Sequence, residues 1–127
     1  MVIISNMLII SKKEVSIHLG FSFKTRVNKM AAKSREEILS LLSQNKSNLE
    51  NRFKVRRMAL FGSYARGDQR SDSDVDILVD IDPSVGLEFV TLAEQIEQLL
   101  ELPVELVSRR AIKPNKLKYI EQDLIYV

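Results

Sequence analysis

Residues 61–80, FGSYARGDQRSDSDVDILVD, constrain the fold of this chain more than any other segment. Five of these twenty residues are Asp, yet the segment lies between apolar runs. Asp74 and Asp76 stand two positions apart at the head of a predicted strand, and side chains alternate between the two faces of a strand. The two carboxylates therefore share one face, with their Cα atoms roughly 6–7 Å apart.

Two ionised carboxylates at that spacing repel each other unless a cation lies between them. A hard divalent cation such as Mg²⁺ binds carboxylate oxygens and completes its shell with water and phosphate oxygens. Gly62, at the end of the preceding strand, lets the backbone approach a ligand closely. The amides that follow, with the Ser63 hydroxyl, can donate to phosphate oxygens. Together these features predict a site for a metal-bound triphosphate, although each one alone also fits an ordinary turn or a solvated strand edge.

Hydrophobic periodicity around this segment predicts alternating helices and strands. Ser34 and Glu37 form a capping box that opens a helix extending to about residue 53. The other predicted elements are a strand at 55–61, a strand from near residue 74 to 81, a helix at 87–100, a strand at 104–108, an irregular or helical connection at 109–123, and a short strand or helix end at 124–127. This order predicts an α/β (α+β) fold, with a small mixed β-sheet of three or four strands and helices on one face.

The first 29 residues differ from the rest of the chain. Residues 1–29 carry a formal charge of +4, whereas residues 30–127 carry −2. No helical or strand period persists in residues 1–29. We predict that they are an N-terminal extension, from a misassigned start or disordered, and that residues 30–127, beginning at Met30, form the single domain. A genuine N-terminal strand or arm is the alternative.

The composition argues against several kinds of site. The chain has no Cys, which excludes disulfides and thiolate metal sites and fits a reducing cytoplasm. A single His, His18, argues against a His-rich metal site or a Ser-His-Asp triad. No apolar run approaches the roughly 20 residues that span a bilayer, so we expect no membrane association. Because residues 30–127 are not basic, we expect no direct nucleic-acid binding.

The pattern of strand, Gly-Ser, ten residues, Asp-x-Asp and strand resembles the signature of the nucleotidyltransferase superfamily related to DNA polymerase beta. Residues from about 34 to 127 resemble in particular the minimal nucleotidyltransferases, the MntA-type antitoxins encoded beside HEPN-domain toxins. The resemblance implies the nucleotidyltransferase fold. It also implies that Asp74 and Asp76 are catalytic residues that bind metal, and that Gly62 and Ser63 bind phosphate.

Two further residues are expected at such a site. The resemblance implies a third acidic, metal-binding residue on the next strand, where Glu105 is the candidate. A solvent-facing Glu on an edge strand is the alternative. Arg66 matches a position that is often basic in the resembled family, and it could neutralise phosphate charge. Alternatively, Arg66 pairs with Asp68 or Asp72 and orders the loop.

The resemblance implies an Mg²⁺-dependent transfer of AMP from ATP, with two ions at the site. An acceptor hydroxyl attacks the α-phosphorus and pyrophosphate leaves, and Glu105 could assist removal of the acceptor proton. The implied acceptor is a tyrosine of a cognate HEPN ribonuclease toxin, with which the chain would form a hetero-oligomer. Two alternatives are an antitoxin that acts by binding alone with a vestigial nucleotide site, and a small-molecule (antibiotic) nucleotidyltransferase.

A group of basic residues near the C-terminus, which we call the basic patch, can be interpreted in two ways. It could contact an acidic toxin or a nucleotide, although a solvated helix face is the commoner explanation of such a pattern. Its members are Arg109, Arg110, Lys113, Lys116 and Lys118.

Overall fold

The structure is a computed structural model that describes residues 2–4, 7–10 and 33–127, the first two ranges by their backbone. Its elements in chain order are β1 (Val2–Ile4), β2 (Met7–Ile10), α1 (Arg35–Phe53), β3 (Val55–Phe61), α2 (Ser63–Arg66), β4 (Val75–Ile81), α3 (Glu88–Leu100), β5 (Val104–Ser108), a 3-10 helix (Arg109–Ala111), α4 (Pro114–Glu121) and β6 (Ile125–Tyr126). The predicted strands at 55–61 and 104–108 have the predicted bounds, and the helix predicted at 87–100 begins one residue later.

The strands form one mixed sheet in the order β1-β2-β5-β4-β3-β6. β4 and β5 are parallel, and β3 is antiparallel to both β4 and β6. Because parallel neighbours need a crossover connection, the chain passes through α3 between β4 and β5. The predicted α/β (α+β) class with a small mixed sheet is confirmed, and residues 55–126 supply four of its strands.

Two short strands extend this sheet beyond β5. β1 pairs with β2, and β2 pairs antiparallel with β5 through Ile9 opposite Val107. Both strands fall within residues 1–29, most of which lie outside the described residues, as does Met30. That residues 1–29 are an extension added to a domain at 30–127 therefore stays a prediction.

The helix α1 begins at the predicted capping box. The Glu37 amide donates to the Ser34 hydroxyl oxygen at 3.1 Å, and the Ser34 amide donates to the Glu37 carboxylate at 3.3 Å. Caps of this kind typically contribute about 1 kcal/mol. From this start the helix buries one apolar face, whose members are Ile38, Leu42, Leu49 and Phe53.

The main core lies between α1, α3 and one face of the sheet. In β4, Val75, Ile77 and Val79 point into it. The intervening residues, Asp76 and Leu78, therefore point to the opposite face. There a smaller cluster forms from Phe61, Leu78 and Val107, with Ile112, Ile120 and Leu124 packed against it. The second face is thus only partly covered, by the segment that contains α4.

Among the described residues, no helix combines the length and the apolar character that crossing a membrane requires.

Candidate active site

The sheet register brings two of the predicted acidic residues side by side. Asp76 of β4 lies opposite Glu105 of β5, and on its other side opposite Phe61 of β3. Paired residues on neighbouring strands project to the same face. Glu105 is therefore a neighbour of Asp76 on the face away from α1 and α3. Asp74 stands one residue before β4 and is near enough to act on Asp76 through its charge.

The electrostatics of Asp76 are unusual for a surface-facing carboxyl. Burial, and then the negative charges of Glu105 and Asp74, raise the pKa of Asp76 to about 7, while Arg66 opposes the rise. Desolvation and like charges both disfavour the ionised form. A bound divalent cation would reverse this balance, because it is the largest local charge in such a site.

Glycine is required at position 62 because the backbone there lies directly against the Asp76 side chain. Its φ of +75° is a conformation that residues with a side chain rarely adopt. A Cβ built at this position would collide with Oδ2 of Asp76. The turn after β3 therefore holds its backbone directly against the carboxylate, and the predicted phosphate-binding end and metal-binding end of the site are adjacent.

Ser63 begins the one-turn helix α2, which directly follows Gly62. The Gly62 carbonyl accepts from the amides of Ala65 at 3.1 Å and Arg66 at 3.0 Å. No side chain caps the amino end of this helix. The first amides of a helix have no partner within it, so those of Ser63 and Tyr64 are available to an anion at this end.

Arg66 both orders the loop and faces the site. Its guanidinium pairs with Asp68 at 3.1 Å and with Asp123 at 2.8 Å. The alternative in which Arg66 pairs with a loop aspartate is therefore observed for Asp68. The contact with Asp123 ties α2 to the segment that follows α4, so that Arg66 helps to position the cleft wall described next.

Two clefts meet at this end of the sheet. The first, which we call the phosphate cleft, has a volume of about 510 Å³ and is lined by Phe61, Gly62, Ser63, Arg66, Asp76, Tyr119, Ile120, Gln122 and Asp123. The second, which we call the acceptor cleft, has a volume of about 790 Å³ and is lined by Phe61, Glu105, Val107, Ala111, Ile112, Lys113, Asn115, Lys116, Tyr119 and Ile120. Phe61, Tyr119 and Ile120 line both clefts and form their common wall.

The carboxylates at this site suit a hard cation, although they do not form a complete coordination shell. Within residues 2–4, 7–10 and 33–127, no group of three or more His, Asp or Glu side chains already converges to hold a metal ion. Asp76 and Glu105 nevertheless present carboxylate oxygens on one face, with Asp74 nearby. Mg²⁺ usually takes one or two protein carboxylates and fills its remaining positions with water and phosphate. The residues present therefore fit Mg²⁺ when a nucleotide completes its shell, and their metal-binding roles stay predictions.

The members of the basic patch have different surroundings. Arg109 pairs with Glu121 at 3.5 Å and donates to the Tyr126 hydroxyl at 3.1 Å, so it holds the C-terminal segment in place. Lys113 and Lys116 instead line the acceptor cleft. Of the five members, Lys113 and Lys116 are therefore the ones placed to face a ligand.

Sequence reasoning did not identify the four residues of the phosphate cleft that come from α4 and the turn after it. They are Tyr119, Ile120, Gln122 and Asp123. The only available signal was the helical pattern of residues 114–121, and it does not indicate which part of the sheet the helix covers.

The comparisons with known proteins agree with this geometry. A family model described as a nucleotidyltransferase domain matches residues 42–127. The chain is also similar to the protein adenylyltransferase MntA of Thermococcus cleftensis, with 45% identity over 100 residues that cover 77% of this chain and 100% of the relative. The chain belongs to the nucleotidyltransferase domain family and is a nucleotidyltransferase, as predicted.

Solved structures are similar in the same region. A structure described as a minimal nucleotidyltransferase has a TM-score of 0.66 at 28% identity, covering 75% of this chain and 97% of that one. A toxin–antitoxin structure with AMP-PNP has a TM-score of 0.55 at 25% identity, covering 74% and 72%. The resemblance to minimal nucleotidyltransferases is therefore confirmed, and so is the nucleotidyltransferase fold.

Proposed function

We propose that this chain is an antitoxin that transfers AMP from ATP to a tyrosine hydroxyl of a cognate HEPN-domain ribonuclease toxin, with Mg²⁺ as cofactor. The observation that carries the proposal is the junction of Gly62, Asp76 and Glu105, where a backbone turn suited to phosphate meets neighbouring carboxylates. The similarity to a protein adenylyltransferase and to a toxin–antitoxin structure with AMP-PNP supports it.

The phosphate cleft holds the donor in this proposal. The backbone at Gly62 and Ser63 binds the β- and γ-phosphates, and Arg66 neutralises part of their charge. This grip fixes the α-phosphorus in front of Asp76, so that positioning supplies much of the rate enhancement. Bound Mg²⁺, held by Asp74, Asp76 and Glu105, would stabilise the attacking and leaving oxygens of the displacement.

The acceptor approaches from the side of Glu105. Its hydroxyl oxygen bonds to the α-phosphorus, the bond to the β-phosphate oxygen breaks, and pyrophosphate leaves. Glu105 lines the acceptor cleft and can accept the hydroxyl proton. The apolar wall of that cleft, which includes Val107 and Ile112, suits the ring of a tyrosine. A toxin docked over the acceptor cleft forms the hetero-oligomer that the proposal requires.

The test combines nucleotide binding with transfer. Calorimetry should detect ATP uptake that depends on Mg²⁺ in the wild type and that is lost in Asp74→Asn/Asp76→Asn. Incubation with a HEPN-domain protein encoded beside the gene, Mg²⁺ and ATP labelled at the α-phosphorus should label that protein. The same double variant should not transfer label.

Three outcomes would contradict all or part of the proposal. If the double variant neutralises the toxin as well as the wild type and without labelling it, the chain acts by binding alone. If the wild type shows no uptake of ATP that depends on Mg²⁺, the assignment of the donor site fails. Mapping of the label to a residue other than tyrosine would overturn the acceptor assignment but leave the nucleotidyl transfer intact.

A further inference from the structure

The three tyrosines of this chain have different surroundings. Tyr64 is buried, with 5% of its surface exposed, and burial followed by the charge of Asp74 raises its pKa. Tyr126 is 48% exposed, but its hydroxyl accepts from Arg109 and its ring lies under the Arg57 guanidinium, 5.3 Å from ring centre to charge. Tyr119 is 75% exposed. It is therefore the most accessible phenol of the described residues.

Tyr119 also has a special position. It belongs to the common wall of the two clefts, of which the phosphate cleft is also lined by Ser63 and Asp76 and the acceptor cleft by Glu105. Under the proposed function, an acceptor hydroxyl must meet the α-phosphorus between these two groups of residues. Tyr119 lies on α4 where the two clefts meet, and the Arg66–Asp123 ion pair connects the segment after that helix to α2.

We infer that Tyr119 is a self-adenylylation site, which the chain modifies with AMP when no partner fills the acceptor cleft. This inference rests on the proposed function, because it uses the same donor site. The Tyr119 phenolic oxygen bonds to the α-phosphorus of ATP, the bond between that phosphorus and the oxygen leading to the β-phosphate breaks, and pyrophosphate leaves. The phenolic proton is released to water.

The physical advantage of Tyr119 as an acceptor is that it belongs to the same molecule as the donor site. A reacting group held on the same molecule as the donor site behaves as if it were present at high concentration. A docked toxin would cover the acceptor cleft and exclude Tyr119 from the donor. Self-modification would therefore be greatest in the free chain, and the attached AMP would occupy the clefts and slow further transfer.

The experiment uses the full chain alone with Mg²⁺ and ATP, followed by intact mass measurement and peptide mapping. The wild type should gain the mass of one AMP group, mapped to Tyr119. Tyr126→Phe, the matched control, should gain it equally. Tyr119→Phe, which keeps the ring, and Asp76→Asn should not gain it.

A second measurement does not depend on catalysis. α,β-Methylene ATP binds as a nucleotide but cannot transfer AMP. If Tyr119 faces the bound donor, this analogue with Mg²⁺ should protect Tyr119 from nitration while leaving nitration of Tyr126 unchanged. Equal nitration of Tyr119 with and without the analogue would overturn the inference.

The remaining outcomes separate this inference from the function on which it rests. If the wild type labels its toxin but never itself, or if the AMP maps to another residue, the Tyr119 inference is wrong and the proposed function stands. If neither protein is labelled and no nucleotide binds, both fail.

Discussion

The two faces of the sheet differ in chemistry although the same strands build them. Towards α1 and α3, β4 presents Val75, Ile77 and Val79, each with 0% of its surface exposed. Towards α4, the same strand presents Asp76 and then Leu78. Two helices of 19 and 13 residues cover the first face, whereas one of 8 residues lies against the second. Because side chains alternate along β4, the residues that build the main core and the carboxylate assigned to catalysis point to opposite faces. The shorter helix on the second face leaves room for the clefts.

The largest effect is expected at Gly62, the bend at which the predicted phosphate-binding and metal-binding residues meet. Gly62→Ala should lower nucleotidyl transfer at least about 100-fold, because its Cβ would displace the Asp76 carboxylate and misplaced reacting groups cost rate steeply. Transfer of labelled AMP measures this change. Gly67→Ala is the matched control, since its φ of +83° is equally strained but no atom lies within 4 Å of the added Cβ. Equal losses in both variants would show that backbone strain, and not the collision, is responsible.

Substitutions at two neighbouring residues of β4 compare how much each face of the sheet contributes to stability. Ile77→Ala should lower the free energy of unfolding by about 2–5 kcal/mol, because it opens a cavity in the main core. Leu78→Ala should cost less than Ile77→Ala, because the side chains packed around the smaller cluster are partly exposed and can relax into the space. Denaturant unfolding measures both changes. A larger loss for Leu78→Ala would mean that the second face contributes as much to stability as the first.

The acidic face should make stability depend on pH in the absence of metal. The pKa of Asp76 in the folded chain, about 7, lies above its ordinary value of 3.8. The folded state therefore holds the proton more tightly, and its stabilisation is complete below about pH 3.8 and is lost as the pH rises to about 7. This effect is at most about 4 kcal/mol, and solvent screening reduces it.

The free energy of unfolding, measured with denaturant in the presence of a chelator from pH 4 to pH 8, tests that dependence. Asp76→Asn should remove this component of the decrease, because it has no proton to lose. Added Mg²⁺ should also reduce the decrease, since a bound cation favours the ionised carboxylate. A wild-type profile identical to that of Asp76→Asn in chelator would contradict the raised pKa.

The smallest effect is expected at the start of α1, on the helical side of the sheet. Ser34→Ala removes the side chain that caps α1 and should lower the free energy of unfolding by about 1 kcal/mol. Binding of ATP with Mg²⁺ should not change. A weakened affinity for ATP would show that the two faces are less independent than their geometry indicates.

Local patterns were enough to predict the two long helices and the three strands at 55–61, near 74–81 and 104–108, but not β1 and β2, which lie in a segment without a persistent period. The alternation around Asp76 fixes which side of β4 it occupies, and the capping box at Ser34 fixes the start of α1, because both depend on neighbours within a few residues. The position of Glu105 beside Asp76 could also be expected, since consecutive parallel strands often pair.

Residues that reach the site by tertiary packing could not be predicted. Tyr119 and Asp123 line the phosphate cleft only because α4 lies across the second face, next to Phe61. Nothing in the helical pattern of residues 114–121 selects that face, since the helix has no fully buried residue of its own. The pairing of Arg66 with Asp123 likewise joins residues 57 positions apart.

The pairing of Asp76 with Glu105 has a consequence for biosynthesis. These residues are 29 positions apart and become neighbours only when β5 docks against β4 after the α3 crossover. Contacts between distant positions form late, because the intervening loop must first be closed. A chain still emerging from the ribosome can therefore build the Gly62 bend before it has a third acid to complement it. Under the proposed function, in which Glu105 takes part, transfer would begin only once β5 has docked, and a partial chain would not consume ATP.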